Sequence, residues 1–343
     1  MSYFGIPIRN GVSIGLGSVV SLASQGLLAP SLSLNFTSGV LDPQVTFTRA
    51  STATYFNSSG VLTSAAINEA RFDHDPTTLA ALGLMIEASK TNLVLNSDAL
   101  ITQNVTVTAV AHTLSFYGTG TVVISGTGTG TLVGSGAFPT RSSLTFTPTA
   151  GVVTLTVTGT VTQAQLEAGA FATSYIPTTA ATVTRATDVA SITTVTPWYN
   201  ATEGTLYVSG QLIGGAPSTF PYMTALVGAN ANTDSIGVAW TANSSVMRYG
   251  VRVAGVGLVD ITAGPAKTAG STYKAAGRYA LNNFQAAFDG VLGVADTAGT
   301  VPTITALSLG GSVSFQDPAN TYLRYVAYYP RQLSDAQLKA LTV

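Results

Sequence analysis

The sequence predicts an all-β protein: two β-sandwich, jelly-roll-like modules in tandem, with an extended N-terminal segment and a short C-terminal helix. Three observations predict it. Apolar residues come in short runs that alternate with Thr and Ser, as at Val105, Val107, Leu114 and Phe116. Turn residues (Gly, Asn, Asp, Pro) punctuate those runs at short, regular spacing. A helical period appears only at Ser334–Leu341, where Ser334 suits an N-cap, Asp335 the first turn, and Leu338 and Leu341 one face.

A chain of 343 residues has room for two or three domains. Apolar residues make up 46%, enough for real cores, while charged residues make up only 8%. An ordinary soluble chain carries about 25% charged residues. Thr, Ser, Asn and backbone must therefore solvate the surface, which suits a protein buried in an assembly or one facing sugars. The net charge of −1 lacks the basic face that nucleic acid requires. The absence of Cys excludes disulfides and thiolate metal sites. No run is apolar and long enough to predict a membrane span. Gly11–Leu28 is broken by Ser and Gly and preceded only by Arg9 as a positive charge, so it reads as a docking segment rather than a cleaved signal.

In order, residues 1–30 alternate Val12, Ile14 and Leu16 with Ser13 and Gly15, as in a strand completed by a neighbouring chain. Residues 31–185 form the first module. Its early strands are expected at Ser31–Phe36, Val45–Arg49, Ala53–Phe56, Gly83–Glu87 and Leu93–Leu95. Turns fall at Ser38-Gly39, Asp42-Pro43, Asn57–Gly60 and Asp75-Pro76. The low-complexity stretch Thr119–Gly136 reads as hairpins, because Val122–Ile124 and Leu132–Val133 are apolar and Thr favours strands. Val152, Leu155 and Val157 mark a further strand.

Residues 163–188 form the joint: a closing strand Ala164–Glu167, a turn at Gly169, a stop at Pro177, then a strand to Arg185. Phe171 and Tyr175 are placed to plug the end of a module. Residues 186–343 form the second module, with strands Leu206–Leu212, Tyr222–Val227, Ser235–Trp240, Ser245–Val253, Leu258–Thr262, Thr272–Tyr279, Asn283–Phe288, Leu307–Leu309 and Leu323–Tyr329. Such a series argues for a two-sheet antiparallel sandwich.

Three phrases, TFTRASTATYFNSSG (Thr46–Gly60), NEARFDHDP (Asn68–Pro76) and LGLMIEASKTNLVLNSD (Leu82–Asp98), together with QLEAGAFATSYIPTTAATVTRATD (Gln165–Asp188), resemble segments of tailed-bacteriophage structural proteins. There they accompany a carbohydrate-binding-like β-module. The tail from Asn282 resembles the last strands of laminin-G or concanavalin-A-like lectin sandwiches. The resemblance implies a non-enzymatic virion protein of the tail-fibre or tail-tip type, contacting host-surface glycans. Residues 1–30 would attach it to other virion proteins, and it would assemble as a homo-oligomer, a trimer. A head fibre or capsid decoration protein is the alternative, a glycan-degrading enzyme the third reading, and a secreted adhesin a fourth.

Exposed rings stack on sugar C–H faces, so the aromatic residues of the second module are the candidate ligand contacts. Trp198, Tyr199, Trp240 and Tyr249 are expected there with Asp289, while Tyr322, Tyr325, Tyr328 and Tyr329 belong to the same aromatic set. Core filling competes for each of them. No catalytic set assembles. Gly11–Gly15 matches G-x-S-x-G without the following helix that a nucleophile elbow needs. Asp73-His74-Asp75 is not read as a metal cluster, because neighbours in a strand face opposite ways; Asp75-Pro76 reads as a turn and Asp73 caps or pairs with Arg71. No metal or cofactor is expected. Ca²⁺ would have to draw on Asp234, Asp260, Asp289 and Asp317, for which turn formation is the stronger reading.

Overall fold

The computed structural model describes residues 29–214, 220–230, 233–242, 244–311 and 318–343. The described chain is almost entirely antiparallel β-structure. Residues 1–28 and Asp317 lie outside the described residues, and with them the expected N-terminal segment and its G-x-S-x-G match.

Two sheets make a large sandwich. The first has eight strands, in the order Val291–Leu292, Asn283–Phe288, Thr272–Ala280, Glu203–Leu212, Thr321–Tyr329, Ala81–Ile86 and Phe72–His74, with Leu32–Asn35 also paired to Thr321–Tyr329. The second has seven: Thr46–Thr48, Val189–Ile192, Ala306–Leu309, Tyr222–Val227, Ser235–Trp240, Met247–Val253 and Val256–Thr262. Their inward residues form one core, from Leu34, Leu84 and Ile86 through Leu206, Val208 and Val238 to Trp240, Tyr249, Leu323 and Val326. Strand alternation sends Val326 and Tyr328 into that core and Ala327 and Tyr329 to the other face. There the helix Asp335–Thr342 covers them with Leu338. Ser334 and Gln337 close a capping box at its start.

Strand pairing divides the chain differently from a boundary at residue 185. Residues 32–86 supply strands to both sheets of the large sandwich. Leu32–Asn35 pairs with Tyr325–Tyr328, and Leu84–Ile86 pairs with Thr321–Leu323, along one edge of the same strand. The early strands thus cover an edge that would otherwise stay open.

The smaller sandwich is inserted after them. Its four-stranded sheet runs Gly130–Val133, Thr121–Gly126, Gly151–Thr158, Gln103–Val107, and its three-stranded sheet runs Ser142–Phe146, His112–Tyr117, Thr162–Ala168. Val105, Val107, Leu114, Phe116, Val122, Ile124, Leu132, Val153 and Leu155 fill its core. The low-complexity stretch forms the expected hairpin, with Val123 and Val133 turned outward. Strands Lys90–Asn92 and Val183–Arg185 pair at its root, where the chain enters and leaves.

Candidate ligand-binding cleft

The joint between the sandwiches is built around a buried ion cluster. Arg71 Nη2 lies 2.5 Å from Asp188 and 2.9 Å from Glu87, and Arg49 lies 3.1 Å from Asp188. Arg185 reaches Glu87 at 3.6 Å and Asp188 at 4.0 Å. Ser174 completes the Glu87 shell, donating its hydroxyl at 2.6 Å and its backbone N–H at 2.9 Å. Burial opposes the charge on Glu87, but Arg185, Arg71 and Ser174 outweigh it and hold the carboxyl at about 2. Burial likewise works against the Arg71 guanidinium, yet Asp188 and Glu87 raise it above its ordinary value. Burial pulls Arg49 down.

Each of the four quoted phrases supplies members: Arg49, then Arg71, then Glu87, then Ser174, Arg185 and Asp188. Neighbouring polar residues lock the rest of the joint. Asn92 bridges Ala164 and Ile176 carbonyls, and Glu167 accepts from Gln165 and Thr173. Tyr175 is buried at the joint, its hydroxyl 2.6 Å from both Ser97 and Asp98. Phe171 instead packs across the joint on Gly214 of the large sandwich, where a Cβ would come within 2.3 Å of the ring.

Beside this cluster opens a cleft of ≈ 250 Å³. Its floor is the outer face of the eight-stranded sheet: Asp73, Met85, Glu87 and Tyr322. Two bulges aim that floor. One shifts the register between Asp73 and His74, and the other sits opposite Ser209-Gly210, between Leu323 and Tyr325. The second allows Leu323 and Val326 both to point inward, leaving Tyr322 on the cleft side.

The walls come from elsewhere in the chain. The hairpin formed by Ala53–Phe56 and Leu62–Ala65 brings Thr54, Tyr55 and Phe56. The small sandwich brings Tyr117, Pro139 and Arg141. At the rim Phe138, 41% exposed, lies 5.6 Å from Phe56 and 5.4 Å from Tyr117, ring centre to ring centre.

Asp73 accepts a 2.6 Å hydrogen bond from Phe56 N–H and interacts with the Tyr322 hydroxyl. It does not pair with Arg71 as expected; Arg71 is committed to Asp188 and Glu87. Burial pushes the Asp73 carboxyl up to about 6, against the pull of that N–H, Tyr322 and Arg71. Burial, with the charges of Asp73 and Glu87, moves the Tyr322 phenol well above its ordinary range. Asp75 forms the expected turn, accepting from Thr77 and Thr78. No group of His, Cys, Asp and Glu among the described residues is arranged to hold a metal ion.

The residues expected to meet a ligand lie apart from this cleft. Trp240 and Tyr249 are completely buried between the sheets, and Trp198 is nearly so. Trp240 packs edge-on against Tyr273 at 5.2 Å, and Trp198 against Tyr328 at 5.3 Å. Tyr199 is half-buried, stacked on Tyr279. These four are core and core-edge residues, because a two-sheet sandwich consumes large rings in closing its ends. Asp289 is exposed but sits in a turn with φ 45°, accepting from Lys274 N–H and pairing with Lys267 at 2.5 Å. Of the other Ca²⁺ candidates, Asp234 accepts from Ala254 N–H and Thr233, and Asp260 pairs with Arg248 at 2.6 Å. Tyr322, from the same aromatic set, is the one that reaches the cleft. Tyr55, Tyr117 and Arg141 carry no sequence signal, because strands far apart in the chain bring them together.

No family model and no curated protein matches the chain. Solved structures do. The Ruminococcus gnavus IT-sialidase CBM40 aligns at 16% identity over 42% of this chain and 84% of its own, with a TM-score of 0.34. The Trypanosoma rangeli sialidase aligns at 14% over 45% of this chain and 25% of its own, with a TM-score of 0.36. The binding domain of Botulinum neurotoxin DC aligns at 13% over 45% and 39%, with a TM-score of 0.34. None of these is a virion protein, and the expectation of a bacteriophage virion component finds no support among them. The phrases that carried that expectation supply the residues of the buried joint.

Proposed function

We propose that this chain is a non-enzymatic glycan-binding protein whose ligand lies in the cleft between the two sandwiches. The observation that carries the reading is the gathering of Tyr55, Phe56 and Tyr117 around a floor bearing Asp73 and Tyr322, with Phe138 packed against the Phe56 and Tyr117 rings. A sugar presents both C–H faces and hydroxyls, and a site of this kind meets both. The sparsely charged surface accords with it.

The two carboxylates that line the cleft among the described residues, Asp73 and Glu87, favour binding over cleavage. Glycoside hydrolysis needs one carboxyl as acid and a second free to act as base or nucleophile. Glu87 is occupied by Arg71, Arg185 and Ser174, which leaves Asp73 without a working partner.

The test is a glycan array probed with the full chain, followed by calorimetry on the glycans retained. Tyr55→Ala and Phe138→Ala are expected to weaken binding at least tenfold while leaving the circular dichroism spectrum unchanged. No retained glycan, or full binding by both variants, overturns the cleft assignment. Release of reducing sugar from a bound glycan overturns the non-enzymatic part.

A further inference from the structure

Among the described residues lining the cleft, Arg141 is a cation without a counter-charge. It stands just before the strand Ser142–Phe146, and its Nη1 donates to the Thr173 carbonyl at 2.6 Å. Its Nε and Nη2 are shielded from solvent and have no hydrogen-bond partner. No carboxylate among the described residues lies within ion-pairing distance of it. Buried donors of a charged group are costly to leave unfilled. The Nε–Nη2 edge of a guanidinium matches the two oxygens of a carboxylate.

The other charges around the cleft do not fill this role. Glu87 is taken up by the ion cluster, and Asp73 is held by Phe56 N–H and Tyr322. The cluster itself holds three guanidiniums, of Arg49, Arg71 and Arg185, against two carboxylates, of Glu87 and Asp188, so it adds no negative charge beneath the floor.

We infer that the cleft selects acidic sugars, with Arg141 turning on its Thr173 anchor to take the sugar carboxylate through Nε and Nη2. This inference rests on the glycan-binding reading and names the ligand class of the same site.

The test uses the full chain at pH 5.5, below the Asp73 midpoint of about 6, and calorimetry with two probes, tri-galacturonate and 3′-sialyllactose. Each is paired with its neutral, carboxyl-reduced counterpart. The expected result is at least about a tenfold preference for one acidic member over its neutral partner, the scale of a charge-assisted bidentate contact. Arg141→Gln should abolish that preference and Arg141→Lys should restore part of it, with unchanged circular dichroism. Equal binding of acidic and neutral partners overturns the acidic-sugar inference and leaves the glycan reading standing. A preference that survives in Arg141→Gln overturns the assignment of Arg141. If none of the four sugars binds while the array retains neutral glycans, the acidic-sugar inference falls alone. If the array retains nothing, the glycan reading falls with it.

Discussion

Arg71 and Asp188 are 117 residues apart in sequence and 2.5 Å apart in space, and neither side chain is exposed. The contact closes the chain on itself around the inserted sandwich: Arg71 precedes the insertion, and Asp188 follows it. Removing one member of a buried pair strands the other charge, which costs about 3–5 kcal/mol. Arg71→Met is therefore expected to lower the unfolding free energy by about that amount in urea titrations. A loss below about 1 kcal/mol, the range of exposed pairs, would show that the joint holds without it.

Acid should weaken the joint through Glu87. Its carboxyl titrates at about 2 in the fold against 4.5 ordinarily. The unfolded state therefore binds the proton first, and the stabilisation, present above 4.5, drains away as pH falls toward 2. The shift corresponds to roughly 3 kcal/mol. Glu87→Gln should flatten this acid limb in urea midpoints measured from pH 5 to pH 2.5. An unchanged limb would place the acid sensitivity elsewhere.

Asp73 should act with the opposite sign. Its carboxyl titrates at about 6 in the fold against 3.8 ordinarily. The folded state binds the proton first, so Asp73 destabilises above pH 6 and its penalty is relieved as pH falls toward 3.8. Asp73→Asn is expected to remove this pH dependence. The direct check is the Asp73 carboxyl chemical shift followed by NMR from pH 3.5 to pH 8; a midpoint near 4 would refute the shifted value.

Trp240 is expected to matter for stability and not for ligand binding. It is completely buried and packs edge-on against Tyr273. Trp240→Phe should lower the melting temperature yet leave the dissociation constant of any glycan ligand within twofold at a temperature where the variant is folded. The full truncation Trp240→Ala should cost about 3–5 kcal/mol. A selective loss of glycan affinity in folded Trp240→Phe would return this ring to the binding site.

Gly83 tests the contribution of the early strands. Its φ is +113°, and a Cβ there would stand 2.1 Å from the Leu323 carbonyl oxygen. Gly83→Ala should push Ala81–Ile86 off Thr321–Tyr329 and destabilise by about 3 kcal/mol. Faster hydrogen exchange confined to residues 72–86 and 321–323 would locate the damage. A variant as stable as the parent would show that this strand pair is dispensable.

Much of the β-structure could be read from local pattern. Val122 and Ile124 alternate with Val123, and Val105 and Val107 behave likewise, so burial on one face of a strand is written into spacing two. The strands from Leu206 to Tyr329 and the helix after Ser334 follow from the same rule and from capping chemistry. Partner choice is not written locally. Leu32–Asn35 has the same alternation whether it pairs nearby or with Tyr325–Tyr328, so local pattern alone places the early strands in the first module. The aromatic residues mislead for a related reason: a ring suited to a sugar is equally suited to the core that took Trp198, Trp240 and Tyr249.

The sequence by itself determined an all-β chain with two apolar cores, a capped terminal helix, no disulfide and few charges. Those features depend on residue type and on neighbours within a few positions. Only the tertiary structure decided that residues 32–86 complete the second sandwich, that Arg49, Arg71, Glu87, Arg185 and Asp188 share one buried cluster, and that Tyr55, Asp73, Tyr117, Arg141 and Tyr322 face one cleft. Antiparallel pairing can join any two strands of matching pattern. The choice among them is made by edge closure, core volume and the need to neutralise buried charge, which act across the whole fold at once.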